Sequence, residues 1–115
     1  MARLSDRVVL VTEVAFAARV AMAAVIVAVD VAQEPAGTPH RPLRTSLASA
    51  VLSDPIAQGR RLAAVVLADD PLSDQAIGRP TDPAAIAALD AAIVARLRAT
   101  WNVLAGVTEP QGPST

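Results

Sequence analysis

From Val8 to Val31 the chain is apolar at all but four positions, and the run as a whole extends from about Asp6 to Gln33 without a proline or glycine. This predicts one long helix. Ser5 and Asp6 supply capping oxygens at its start, and Glu34-Pro35 ends it. The valine content also suits a strand, but an uninterrupted run of this length far exceeds one. At about 100° per residue, Thr12, Glu13, Arg19, Asp30 and Glu34 fall within a sector of roughly 120°, which Phe16, Ala23 and Val27 share. A helix apolar on nearly every side is expected to be contacted from more than one.

Residues 35–42, PAGTPHRP, hold three prolines and a glycine and predict a loop. Leu43, Leu47, Val51 and Leu52 then recur at helical spacing and predict a short second helix. Ser53-Asp54-Pro55, a cap followed by a first-turn proline, starts a third helix that runs to Leu67 or Ala68. Between Asp70 and Asp82 the chain is polar, with Pro71, Gly78 and Pro80, and reads as a longer loop with room for one helical turn. Thr81-Asp82-Pro83 repeats the cap-plus-proline signal. Ile86, Leu89, Ile93, Val94, Leu97, Trp101 and Leu104 follow at steps of three and four, the apolar stripe of a fourth helix. Gly106 is placed as its C′ residue. The expected fold is therefore all-α, a small bundle of about four helices in one domain over residues 1–107. The segment 108–115, with two prolines and a glycine, is expected to be a flexible or partner-ordered tail.

Composition changes this picture in one respect. Among 115 residues, 53% are hydrophobic but only two are aromatic, Phe16 and Trp101, against 26 Ala and 15 Val. Each buried side chain therefore removes modest area from water, at about 25 cal/mol per Å². The mean hydropathy of +0.43 nevertheless exceeds what one small fold readily hides, so part of the apolar surface is expected to be covered by further copies. Charge is segregated in a way that suits such pairing: net −1 over residues 1–34, +3 over 35–61 and −3 over 62–115. A membrane span is not expected. The longest uncharged part of the apolar segment, Val20 to Val29, has ten residues where a span needs about twenty. Glu13 likewise argues against a secretory signal, and the sequence reads as that of a soluble intracellular protein.

Candidate chemistry is sparse. The absence of cysteine removes disulfides, thiolate nucleophiles and zinc–thiolate sites. His40, the only histidine, stands in the proline-rich loop without a second imidazole or a carboxylate at fixed spacing, so a loop or cap contact is expected in place of a metal or general-base role. Asp69-Asp70 is an adjacent acidic pair whose side chains diverge by about 100° on a helix; it marks a helix stop, or pairs with arginine on another subunit. Arg41, Arg44, Arg60 and Arg61 form the basic middle, a solvated face or a salt-bridging protein interface. DNA contact through these four is a lesser alternative, because no aromatics are interleaved with them. Phosphate-loop, nucleophile-elbow and zinc-helix motifs are absent. No enzyme activity and no cofactor are expected; an enzyme would need a cleft joining His40 to acids distant in sequence. Trp101 is expected to fill the end of an alanine-sized core, with an exposed interface anchor as the alternative.

Taken together, Phe16 with Arg19-Val20 in an Ala/Val-rich first helix, the Pro/His loop, Arg44, Leu47-Ala48, Val51-Leu52 and Asp54-Pro55 form a recognisable series. Thr81-Asp82, the late Ile/Val stripe and Trp101-Asn102 through Leu104-Ala105-Gly106-Val107 complete it. The pattern resembles small helical virion proteins of tailed bacteriophages. That resemblance implies a structural protein repeated as a homo-oligomeric ring or shell at the head–tail connector or neck, with tail or capsid positions as alternatives. Its partners would be portal, tail or capsid subunits, and its location the virion, or the host cytoplasm during assembly. Phe16, Arg41, Arg44, Arg60, Arg61, Asp69, Asp70 and Trp101 are the candidate interface residues.

Overall fold

A computed structural model describes residues 14–67, 71–72 and 82–107. Among these the chain is all-α, with four helices: α1 (Val14–Ala32), α2 (Arg41–Ser53), α3 (Pro55–Leu67) and α4 (Pro83–Leu104). The expected start of the first helix at Ser5-Asp6, the Asp69-Asp70 pair, Thr81 and the tail 108–115 lie outside the described residues.

Local chemistry explains the helix ends. The loop was expected to reach residue 42, but α2 begins at Arg41, because Pro42 occupies its first turn, where no backbone N–H is required. His40 takes the preceding cap position with φ 59° and ψ 21°, and its side chain makes no cap hydrogen bond. Between α2 and α3 the break is a single residue. Asp54, at φ −147°, is pushed out of the helical region by Pro55, and its Oδ1 accepts from the Ala57 N–H at 3.2 Å. Asp82 caps α4 in the same way, accepting from the Ala85 N–H at 3.1 Å. Asp82→Ala is expected to lower stability by about 1 kcal/mol in urea unfolding. At the other end Gly106, with φ 88°, lets the Val107 N–H reach the Asn102 carbonyl at 2.9 Å and its own N–H reach Val103 at 3.1 Å. This is the Schellman arrangement expected of a C′ glycine.

Helix α1 is the centre of the bundle and touches each of the other three. Arg19 pairs with Asp90 and, further along both helices, Asp30 pairs with Arg98, so α1 and α4 run parallel. The α2–α3 arm returns along α1: Arg44 meets Glu34 beyond the end of α1, and Gly59 lies against Ala17 and Ala21 nearer its start. The core takes Phe16, Val20, Val27 and Val31 from α1, Leu47 and Val51 from α2, and Leu62 and Val66 from α3. From α4 it takes Leu89, Ile93, Leu97 and Trp101, four residues apart on one face. Ile86, Val94 and Leu104, expected on that stripe, are half-buried at its edges, and Leu43 and Leu52, expected on the inner face of α2, are exposed.

Candidate functional site

Arg19 and Asp30 share a sector of α1 with Phe16, Ala23 and Val27, and Glu34 follows just beyond the helix end. In the structure its charged side chains pair with neighbouring helices while staying partly exposed. The Arg19 guanidinium reaches both Asp90 carboxylate oxygens at 3.0 Å, Arg98 Nη2 reaches Asp30 Oδ2 at 2.6 Å, and Glu34 is held by α2. Phe16, Ala23 and Val27, in the same sector, are buried. What faces outward is the apolar remainder of the helix. Ala18, Met22, Val25, Ile26 and Val29 follow one another at helical spacing, with Met22 70% and Ile26 50% exposed.

This stripe forms a groove with the start of α3. The groove, of about 390 Å³, is lined by Ala18, Ala21, Met22, Val25, Ile26, Pro55 and Ile56, all apolar. Single exposed hydrophobic residues such as Leu43, Leu52 and Val103 are ordinary on a protein surface; Met22, Ile26 and Ile56 differ in lining one continuous recess. One wall is α3, where Ile56 is 62% exposed. On the other side of the stripe lie the Arg19–Asp90 and Asp30–Arg98 pairs, whose side chains remain between a third and just over a half exposed.

A second polar feature sits at the far end of α1. The Arg44 Nε and Nη2 donate to the two Glu34 carboxylate oxygens at 2.9 and 2.7 Å, and its Nη1 donates to Asn102 Oδ1 on α4. The Arg44 backbone carbonyl accepts from Trp101 Nε1 at 3.1 Å, and Arg41 Nε donates to the Glu34 carbonyl at 2.8 Å. One arginine thus joins α1, α2 and α4 and fixes the indole. The hydrogen bonds from Arg44, helped by the positive charges of Arg44 and Arg41, hold the Glu34 carboxyl below its ordinary 4.5 against the opposing effect of burial. Bonding to Glu34 raises the Arg44 guanidinium in turn. Because the folded carboxyl titrates lower than the unfolded one, its stabilisation is complete above pH 4.5 and is lost as pH falls through the depressed value. The wild type is expected to exceed Glu34→Gln in urea stability by about 1 kcal/mol at pH 7. That difference should close progressively below pH 4.5.

Placed in this geometry, the candidate interface residues separate. Trp101 is fully buried and Phe16 nearly so; both belong to the core, and the exposed-anchor alternative for Trp101 is corrected. Arg41 and Arg44, grouped with Arg60 and Arg61 as one basic surface, are drawn instead to Glu34 within the chain. That leaves Arg60 and Arg61 exposed on α3, with Arg61 donating to Gln58 at 3.1 Å. His40 is exposed before α2. Among the described residues no group of three or more His, Cys, Asp or Glu side chains could hold a metal ion, and no helix is long and apolar enough to cross a membrane. The groove residues Met22, Ile26 and Ile56 were absent from the sequence-based candidates; the excess of apolar residues was the signal, and only the helix orientations located it. Comparison with family models, curated proteins and solved structures gives no match to this chain.

Proposed function

We propose that this protein is a non-enzymatic structural subunit that works by packing against other chains. The observation that carries the reading is the apolar groove between α1 and α3, with Met22, Ile26 and Ile56 each at least half exposed. Burying such a side chain completely contributes about 1.5–3 kcal/mol, and at this exposure the isolated chain leaves at least half of that gain unused. The resemblance to small virion proteins of tailed phages gives the setting: a homo-oligomeric ring or repeated component at the head–tail connector or neck, with tail or capsid positions as alternatives. A rigid core held by the Trp101–Arg44–Glu34 linkage suits a part that must present one fixed surface in every copy.

Two measurements test this. Light scattering after size exclusion is expected to show a multimer of the full chain, or else a monomer that co-sediments with purified portal, tail or capsid particles. A monomer that binds none of these overturns the proposal.

A further inference from the structure

We infer that two copies of this chain pair antiparallel through α1, about a two-fold axis at the level of Ala24, each laying its Met22–Ile26 stripe into the partner's groove. The inference rests on the self-assembly part of the function proposed above and adds the surface, the orientation and the register.

Charge placement decides the orientation. Arg19 and Asp30 are eleven residues apart, close to three helical turns, so both stand on the same flank of α1. Each keeps part of its side chain in solvent while paired to α4. A two-fold axis perpendicular to α1 and midway between them keeps that flank on the same side in both copies and reverses its direction. Arg19 of one copy then comes beside Asp30 of the other, twice, and the four intrachain ion pairs of the two copies join into two mixed clusters. Parallel pairing sets the charged flank of one copy against the α3 side of the other and leaves the charges unmatched.

Shape and area agree with this. Ala18 and Val29 are also eleven residues apart. Their midpoint and that of Arg19 and Asp30 fall on either side of Ala24, so an axis at Ala24 brings a small residue at one end of the stripe within about one residue of a larger one from the partner. Ile56 lines the groove with Met22 and Val25, near the axis, where the two copies' α3 walls approach one another. Met22, Ile26, Val29 and Ile56 offer on the order of 400 Å² of apolar surface per copy; with the groove floor and the charged flank, a pair covers ~1,000 Å² in total, the lower bound of a specific interface. An interface of that size fits a pair that forms reversibly or is reinforced within a larger assembly.

The chain has no cysteine, so single introduced thiols report the register. Ala18→Cys mixed with Val29→Cys is expected to give a disulfide-linked dimer under mild oxidation. Either variant alone should not, since its two thiols are about 16 Å apart along the axis at 1.5 Å per residue. The wild type should scatter as twice the 11.8 kDa of one chain, or an even multiple of it. Met22→Lys and Ile56→Lys, at exposed positions, should each reduce that mass at least twofold with the helical circular dichroism unchanged. Self-linking of Ala18→Cys or of Val29→Cys in place of the mixed product overturns the antiparallel register. A multimer that survives both lysine substitutions overturns this seam while leaving self-assembly standing. A wild-type chain that stays monomeric to on the order of 100 µM overturns the pairing, and its co-sedimentation with virion particles then decides separately whether the proposed function holds.

Discussion

Trp101→Ala is expected to lower the unfolding free energy by about 3–5 kcal/mol in urea titrations, the range seen when a large buried aromatic is truncated. The indole has no solvent exposure and closes the end of a core that, apart from Phe16 near the start of α1, is made of Val, Leu, Ile and Ala, so the smaller side chains around it cannot fill the space. Its Nε1 also donates to the Arg44 carbonyl, and truncation leaves that acceptor without its partner. Small domains have total stabilities of about 5–15 kcal/mol, so the variant should sit near the edge of folding. Trp101→Phe keeps most of the volume and loses the hydrogen bond, and should fall between the two. As the chain's only tryptophan, Trp101 gives the wild type a blue-shifted fluorescence that moves red on unfolding. A loss below 1 kcal/mol for Trp101→Ala would contradict its place in the core.

Gly59→Leu should be comparably severe, for the opposite physical reason. A Cβ at position 59 would stand 2.8 Å from the Ala17 carbonyl oxygen, 2.8 Å from the Ala21 Cβ and 3.1 Å from the Ala21 Cα. Two of those atoms are backbone and the third is a methyl fixed to it, so none can rotate away. Even Gly59→Ala is expected to be net destabilising: overpacking costs about 1–3 kcal/mol, against about 1 kcal/mol gained in helix propensity. Leucine must drive α1 and α3 apart, opening the groove between them. Thermal unfolding followed by circular dichroism should show a small fall in Tm for alanine and a much larger one for leucine. An unchanged Tm for Gly59→Leu would mean the two helices do not approach so closely.

Both positions show how far the sequence can be read. Trp101 was legible because it continues a stripe of Leu89, Ile93 and Leu97 and stands five residues before Gly106. Gly59 carried only a weak signal: a glycine inside a helix pattern costs about 1 kcal/mol and implies a reason, but the reason is a contact 38 to 42 residues away. Arg44 was legible as a charge and illegible as a linkage, since its partners Glu34 and Asn102 come from two other parts of the chain. The same distance explains why Arg41 and Arg44 looked like one surface with Arg60 and Arg61.

The sequence by itself determined the all-α class, the four helices and most of their ends, because capping oxygens, proline rings and a left-handed glycine act within a few residues of the bonds they make or forbid. It also implied more apolar surface than one small fold conceals. Only the tertiary structure decided which side of α1 is left open. The sequence placed Arg19 and Asp30 in one sector with Phe16, Ala23 and Val27, but their partners Asp90 and Arg98 lie 71 and 68 residues away and set that sector against α4. A helix's own periodicity records which residues share a side. The direction that side faces is set by the other helices packed around it, whose positions local chemistry does not specify.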